Sequence, residues 1–375
     1  MKKVGITGQS GFMGTHFYNQ LGLMPDIVRI PFCDSYFEED ASMDEFVHSC
    51  DVIIHLAAMN RNQDADLLYH TNIGLVQKLI ASLQRTSSKP HVIFSSSIQE
   101  ELDNVYGKSK REGRLLLEQW SQQSGSFFTS MLIPNVFGPF GKPFYNSVVA
   151  TFCHLLATGG EPEIHVDSEI KLIYIDDLFR EFYKAISGEI QTTGYRVPFT
   201  VKLKVSEILG MLWIFKEFYL EKGIIPVVDT SFKVNLFNTF RSYIDSKTFF
   251  PVKLTQHSDT RGAFVEVVKL GVGGQVSFST TKPGITRGNH YHTRKIERFA
   301  VIRGKAVIQL RRIGESRILE FLLDGESPSF VDMPVWHTHN ITNVGKDDLY
   351  TIFWINEWYD PYYPYIYCKK LYDTG

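Results

Sequence analysis

The sequence predicts an α/β domain built on a parallel sheet, followed by an all-β domain of barrel or sandwich type. Three observations carry this. Short apolar runs alternate with longer amphipathic stretches through the first part of the chain, as strands and their covering helices do in a parallel sheet. After about Ser246 the texture changes to short alternating segments separated by glycine and charged turns, as in an antiparallel barrel. The 375 residues suffice for two or three domains, each burying its own core.

Taken in order, Val4–Thr7, Ile27–Ile30, Val52–Leu56 and Val92–Ser95 read as strands with helical periods between them. Leu178–Ile186 and Val205–Tyr219 read as later helices, in a smaller lobe at the sheet's carboxyl edge. Beyond Phe250-Pro251 come Phe264–Lys269, Gln275–Thr281, Phe299–Val301, Ala306–Arg311 and Tyr350–Ile355, each strand-like. The boundary falls near residues 245–252, which gives domains 1–247 and 248–375 with no low-complexity linker and no internal repeat.

Hydrophobic residues are 43% and charged residues 21%, ordinary for a globular protein. A net charge of -2 leaves no electrostatic footprint for nucleic acid or an anionic membrane, so an anionic substrate has to be met locally. The Met1-Lys2-Lys3-Val4 start runs straight into an apolar strand, without a cleavage site or an apolar stretch of about 18 residues, so a cytoplasmic location is expected. Cys33, Cys50, Cys153 and Cys368 form no Cys-x-x-Cys pair and read as free thiols.

Gly8-x-x-Gly11-x-x-Gly14 follows the first strand at once and precedes a helical pattern beginning near Phe12. Glycines there let the backbone turn tightly and approach a pyrophosphate, which helix amides such as those of Phe12 and Met13 then hold. Cofactor choice turns on the end of the second strand, where a carboxylate bonds an adenosine ribose and a cation favours a 2′-phosphate. Arg29-Ile30-Pro31-Phe32 offers a cation and no acid, although Asp34 is close, and this favours NADPH.

Ser95-Ser96-Ser97 ends an apolar strand, and Tyr106-x-x-x-Lys110 follows. Residues four apart share a helix face, so the Lys110 ammonium can favour the Tyr106 phenolate while binding the nicotinamide ribose. Such a trio passes a proton between tyrosine and a substrate oxygen as hydride moves between carbons. With 18 tyrosines in the chain, a chance Tyr-x-x-x-Lys on a solvated helix face is the bland reading, and the upstream serines and glycines weigh against it.

Through residue 245 the chain resembles the extended short-chain dehydrogenase/reductases that act on nucleotide sugars, a Rossmann-like fold. The resemblance rests on Thr7-Gly8-x-x-Gly11-x-x-Gly14, Asp51-Val-Ile-Ile-His55-Leu-Ala57-Ala58, Asn72, Ser95-Ser96-Ser97, Tyr106-x-x-x-Lys110 and Pro134-Asn135-Val-Phe-Gly138-Pro139. It implies that Ser97 orients substrate, Tyr106 is the acid, Lys110 its partner, His55, Leu56 and Ala57 border the cofactor, and Asn135 lies near the sugar nucleotide. Met131-Leu132-Ile133 stands where that group often has an arginine, so Arg61 or Lys142 is expected to meet the diphosphate.

In the second domain, His290, His292 and Glu297 fall in Gly284-x5-His-x-His-x4-Glu-x6-Gly304, and His339 in Pro334-x-Trp-x2-His-x3-Asn343. Alternate residues of a strand share a face, so His290 and His292 point the same way. Three imidazoles and a carboxylate suit a borderline divalent metal such as zinc, with a position left open. This two-part pattern resembles that of the cupin superfamily, which implies an all-β cupin barrel, with Trp336 where the second part usually has glycine.

Asp259-Thr-Arg261-Gly262-Ala-Phe264-Val-Glu266 and Pro283-Gly284-Ile-Thr-Arg287-Gly288-Asn-His290 are similar to the epimerases of 4-keto-6-deoxy nucleotide sugars. There the corresponding histidine is a base, so His290 either ligates or abstracts a proton, with Lys282, Arg287 and His337 as further polar groups at the mouth. A structural metal, with the base elsewhere, is the alternative.

End to end the chain resembles bifunctional enzymes of bacterial capsule or O-antigen synthesis. That implies C3 epimerisation of a UDP-4-keto-6-deoxy-N-acetylhexosamine by the barrel, then NADPH-dependent reduction of the C4 ketone. The product so implied is UDP-2-acetamido-2,6-dideoxy-β-L-talose, a precursor of UDP-N-acetyl-L-fucosamine. The aromatic run Trp354 to Tyr365 suits an interface or a core strand equally and supports an expected homodimer. The rival expectations are a reductase with a purely structural barrel and a non-enzymatic redox sensor.

Overall fold

A computed structural model describes residues 1–259, 262–265, 267–268, 273–357 and 366–372. Two compact units emerge, one made of 1–151 with 166–205, the other of 152–165 with 206–375.

In the first unit the chain runs β1 (Lys2–Thr7), α1 (Phe12–Leu21), β2 (Ile27–Ile30), α2 (Asp40–Ser49), β3 (Val52–His55), α3 (Ala65–Arg85), β4 (His91–Ser97), α4 (Val105–Ser124) and β5 (Phe128–Ile133). There follow β6 (Asn135–Phe137), α5 (Val148–Ala157), of which residues from Phe152 on count with the second unit, β7 (Glu169–Tyr174), α6 (Ile175–Ser187), β8 (Tyr195–Arg196) and β9 (Val201–Lys204). The main sheet has the order β2-β1-β3-β4-β5-β8 with every pair parallel. Strand order reverses between β1 and β3, and the crevice at their carboxyl ends is where such sheets bind ligands.

The apolar strands form because both faces of this sheet are covered: β3 is buried at all four residues, and Phe46, Val92, Phe94, Leu117 and Trp120 pack in one cluster beside it. Each fully buried large apolar side chain contributes about 1.5–3 kcal/mol. The helix starts are set locally. Asp64 accepts from Leu67 N at 3.0 Å to begin α3, and Asn104 accepts from Gly107 N at 2.8 Å to begin α4. No side chain caps α1, whose first amides are left free.

The second unit holds α7 (Val205–Phe215), α8 (Ser231–Arg241) and α9 (Ser246–Phe249), then, among the described residues, twelve strands. These are β10 (Val252–Lys253), β11 (Gln256–Asp259), β12 (Gly262–Val265), β13 (Gln275–Thr281), β14 (Thr286–His292), β15 (Glu297–Arg303), β16 (Lys305–Arg312), β17 (Ile318–Asp324), β18 (Ser329–Met333), β19 (His337–Asn343), β20 (Leu349–Ile355) and β21 (Ile366–Cys368). They form two five-stranded antiparallel sheets, β10-β18-β15-β20-β13 and β17-β16-β19-β14-β21, beside a β11-β12 hairpin. The parallel α/β sheet followed by a cupin-like β domain is the fold class expected.

The helices 206–241 group with the β sheets, not with the first unit, although the change of texture lies near residue 247. A buried polar network explains this. Arg298, 1% exposed, makes a two-pronged ion pair with Asp332, 0% exposed, at 2.8 and 3.0 Å. Tyr219, just beyond α7, donates to Asp332 at 2.5 Å, and Arg241 of α8 donates to Met333 O at 3.1 Å. The helix expected over Val205–Tyr219 is α-helical to Phe215 and continues as a π-helical turn, Lys216–Glu221. No described helix is long and apolar enough to cross a membrane. Arg261 and Glu266 of the expected epimerase segment, and Trp358 to Tyr365 of the aromatic run, lie outside the described residues.

Candidate functional site

In the first unit the glycines make the turn from β1 into α1. Gly8 has φ +70°, and a Cβ there would lie 2.8 Å from Ala57 N; a Cβ on Gly14 would lie 2.2 Å from Gly8 O. Only glycine fits either place, and the result is an open helix start whose Phe12 and Met13 are half-buried. Leu56 and Ala57 lie across from it at the end of β3. His55 is sealed in the sheet at 0% exposure, its Nδ1 2.7 Å from Thr7 Oγ1 and its ring stacked on Phe94. Burial, then Lys110, lowers its pKa to about 3, so it serves as a neutral support of the strand end.

Arg29 departs from expectation. Its guanidinium donates to Tyr18 O at 3.1 Å and lies 4.3 Å over the Tyr18 ring, at the carboxyl-terminal part of α1, away from the glycine turn. The group that does reach the turn is Asp34, which accepts from Ser10 Oγ at 2.8 Å.

Tyr106 and Lys110 share a face of α4, with the Lys110 Nζ 5.8 Å from the phenol ring centre and donating to Ser95 O at 2.9 Å. Burial lowers the Lys110 pKa to about 8, against a smaller opposing effect of Glu100, so it is still a cation at neutral pH. Burial, then Tyr145, pushes the Tyr106 phenol up, so it stays protonated and available as an acid. Ser97 Oγ accepts from Gln99 N at 3.1 Å, which leaves its proton free for a substrate oxygen. The short segment between Ser97 and Tyr106 closes because Gly107 packs against Gln99 O, where a Cβ would come within 2.0 Å. Asn72, 4% exposed, ties α3 to α4 through Ser109 at 3.0 Å and holds Met59 N at 2.7 Å.

Arg61 and Lys142 converge on Tyr145, Arg61 Nη1 donating to its carbonyl at 3.4 Å and Lys142 Nζ standing 5.3 Å from its ring centre. Asn60 N donates to the Tyr145 hydroxyl at 3.1 Å. Tyr145 therefore borders both Tyr106 and the exposed cations, and no spacing motif had singled it out. Asn135 is exposed and donates to Lys171 O at 3.2 Å.

In the second unit His290 and His292 of β14, Glu297 of β15 and His339 of β19 place their ligand atoms within 4.8 Å of one another. Two sheets contribute, so the cluster lies on their facing inner surfaces. His292 Nε2 is 2.9 Å from Glu297 Oε2, and His339 Nε2 is 3.4 Å from the same oxygen without a hydrogen bond. His339 Nδ1 lies 3.2 Å from His337 O, a contact that fixes the ring and directs the other nitrogen inward. Burial and the neighbouring imidazoles lower the His290 pKa to about 3. Burial opposes ionisation of Glu297, but His292 and His339 outweigh it and hold the carboxyl below its usual range. A His290 ring that burial holds neutral, an ionised carboxylate and a buried His339 nitrogen without a hydrogen-bond partner suit a divalent cation, so the residues fit one.

A bulge turns a further residue to the same side of the strand. Arg287 and His290 are three apart and would face opposite ways on a regular strand, but the β14–β19 register shifts between Gly288 and His290. Gly288 has φ +99° and Asn289 φ +62°, and Arg287, in register with Ile341, and His290, in register with His339, both face inward. Lys282 and Arg287 are exposed, and His337 is half-buried with its pKa lowered to about 4, chiefly by burial. Trp336 takes the left-handed conformation, φ +59°, that the usual glycine would adopt. Its backbone N–H donates to His292 O at 2.8 Å, and the residue is 2% exposed with its ring packed 5.7 Å from Tyr291.

Residues 4–192 match the NAD dependent epimerase/dehydratase family. The chain belongs to that family. Residues 257–367 match the Polysaccharide biosynthesis C-terminal domain. Over 362 residues, 96% of each chain, this family member is 35% identical to the UDP-2-acetamido-2,6-beta-L-arabino-hexul-4-ose reductase of Pseudomonas aeruginosa. It is similar to the capsular polysaccharide assembling protein CapF from Staphylococcus aureus, with a TM-score of 0.63, 35% identity, and 98% and 99% of the two chains covered. RMD from Pseudomonas aeruginosa, solved with NADPH, shares the fold with a TM-score of 0.52 at 20% identity, over 58% of this chain and 83% of that one.

Proposed function

We propose that this family member is a bifunctional nucleotide-sugar enzyme of capsular polysaccharide or O-antigen synthesis. Its barrel epimerises a UDP-4-keto-6-deoxy-N-acetylhexosamine at C3, and its parallel-sheet unit then reduces the C4 ketone with NADPH, giving UDP-2-acetamido-2,6-dideoxy-β-L-talose on the way to UDP-N-acetyl-L-fucosamine. The catalytic division falls at residues 1–247 and 248–375, in a cytoplasmic homodimer. What carries the reading is one chain holding both a protonated phenol beside a buried ammonium and an inward cluster of three imidazoles and a carboxylate. The Pseudomonas aeruginosa relative, named as a reductase of a UDP-hexulose, supports the second step.

In reduction, a bound nicotinamide cofactor would supply the hydride for C4; the Tyr106 hydroxyl would give its proton to the ketone oxygen, while Ser97 Oγ–H would hold that oxygen and the Lys110 charge would favour the phenolate left behind. Arg61 and Lys142 meet the diphosphate, and Asn135 the sugar nucleotide. In epimerisation, His290 removes the proton beside the ketone, and Arg287 and Lys282 face the substrate's negative charge. A divalent cation such as zinc, held by His292, Glu297 and His339 with or without His290, supplies Lewis-acid stabilisation when bound. Epimerisation comes first because it needs the ketone as electron sink, which reduction removes.

Incubating the protein with the 4-keto UDP-sugar in deuterium oxide tests the pair of activities. Label should enter at C3 without NADPH, and NADPH should be consumed once added; absence of C3 label removes the epimerase step. The Asp34–Ser10 hydrogen bond favours a second reading of the cofactor, because a carboxylate beside the glycine turn suits an unphosphorylated ribose. Comparing NADPH with NADH decides between them.

A further inference from the structure

We propose that Phe299 and Phe353 form an apolar sugar subsite inside the barrel, which takes the methyl-bearing face of a 6-deoxy hexosyl ring and disfavours a hydroxymethyl group. The inference deepens the epimerase reading and rests on it for the identity of the sugar. Glu297 meets imidazoles from the opposite sheet, so its side of β15 is the inner one. Phe299, two residues on, shares that side. Phe353 of β20 is in register with Phe299, and the rings stack at 5.2 Å and 12°.

Exposure along the inner face shows where the barrel is open. On β15 Glu297 is 6% exposed and Val301 2%, with Phe299 between them only half-buried; on β20 Thr351 is 1% exposed and Phe353 half-buried. Val301, Ile308 and Ile341 are buried along the inner faces, and Leu310, in register with His339, is buried beside the cluster, so the two half-buried rings are the accessible apolar surface next to the histidines. Ser277, in register with Phe353, and the Ser279–Thr351 hydroxyl pair at 2.8 Å flank it.

Stacked phenyl rings offer a sugar no hydrogen-bond partner. They suit a methyl group and the C–H face of a pyranose, while a C6 hydroxyl pressed against them loses its water without replacement. The strand rise puts the rings roughly 7 Å from the Glu297 position, within reach of the C5 substituent of a ring whose C3 faces His290.

Two measurements on the full chain test this. Solvent-deuterium exchange at C3 is run without NADPH against two stable competitors, UDP-2-acetamido-2,6-dideoxyglucose and its 6-hydroxy counterpart UDP-N-acetylglucosamine. The 6-deoxy sugar should compete about tenfold or more tightly, and Phe299→Leu/Phe353→Leu should erase the preference. Saturation-transfer NMR from the aromatic protons should light the C6 methyl in the wild type and lose that signal in the double variant, whose folding is checked by its melting curve. Equal competition by the two sugars, or a methyl signal that survives in the folded double variant, overturns the subsite. A wild type that exchanges no label but loses the methyl signal on substitution overturns the epimerase reading alone and supports the subsite.

Discussion

The two sites handle charge in opposite ways. At the strand ends of the parallel sheet, the buried charge is the Lys110 cation, beside a phenol that burial keeps protonated. On the inner faces of the antiparallel sheets, the buried charge is the Glu297 anion, beside a His290 imidazole that burial keeps neutral. The first arrangement is ready to give a proton; the second is ready to hold a cation and take one. A ketone that must first acidify its neighbour and then accept hydride calls on both, and in this chain the two patterns stand in different units.

The largest effects should come from removing one pattern and leaving the other. Tyr106→Phe takes away the acid without altering the barrel, so NADPH oxidation should fall about 10²–10⁴-fold while C3 label exchange persists. His290→Ala should lose label exchange to a similar degree and keep NADPH oxidation on an already epimerised substrate. Loss of both activities in either folded variant breaks the division of labour.

The first site was the more legible in the sequence, and the reason is geometric. Gly8, Gly11 and Gly14, and Tyr106 with Lys110, lie within single turns, where spacing alone fixes which groups meet. His290, His292 and Glu297 were legible for the same reason. Arg287 was placed at the mouth by resemblance only, because strand alternation puts it on the wrong side of His290 and the bulge that corrects this depends on the β19 register. Tyr145 carries no spacing signal, and the contact of Arg29 with Tyr18 cannot be read from a strand end alone. The grouping of residues 206–241 with the barrel rests on Tyr219 and Asp332, which stand 113 residues apart.

That long-range network yields the next effect in size. Asp332→Ala leaves Arg298 charged and unpaired in a dry interior and strips Tyr219 of its acceptor, which should cost about 3–5 kcal/mol. A urea titration should show the midpoint falling accordingly, whereas Asp44→Ala, which breaks the exposed pair with Arg85 at 2.7 Å in the first unit, should move it by at most about 1 kcal/mol. Similar shifts for the two changes remove the anchoring role given to Asp332.

Trp336 separates backbone cost from packing gain. Its left-handed conformation costs about 1–2 kcal/mol, which glycine would not incur, while losing the buried ring costs about 3–5 kcal/mol. Trp336→Gly should therefore lower stability by roughly 2 kcal/mol. Trp336→Ala, which loses the ring and keeps the strain, should be worse; an alanine variant as stable as the glycine one contradicts the strain.

The most gradual effect is a slope with pH, and it belongs to the parallel-sheet unit. Lys110 titrates near 8 in the folded chain against an ordinary value of 10.5, so the penalty for burying its charge is fully present below about 8. Between about 8 and 10.5 the unfolded chain binds more protons than the folded one, and stability from this group rises with pH, by at most about 1.4 kcal/mol per unit. Tyr106 acts in the opposite sense higher up, because its raised value favours the protonated folded form, so the measurement is the difference between wild type and Lys110→Met. That difference should tilt from pH 8 to 10, while NADPH oxidation by the wild type declines over the same range as the ammonium beside the phenol is lost. A flat difference means that Lys110 is not a buried cation at neutral pH, and the contrast between the two sites then loses its first half.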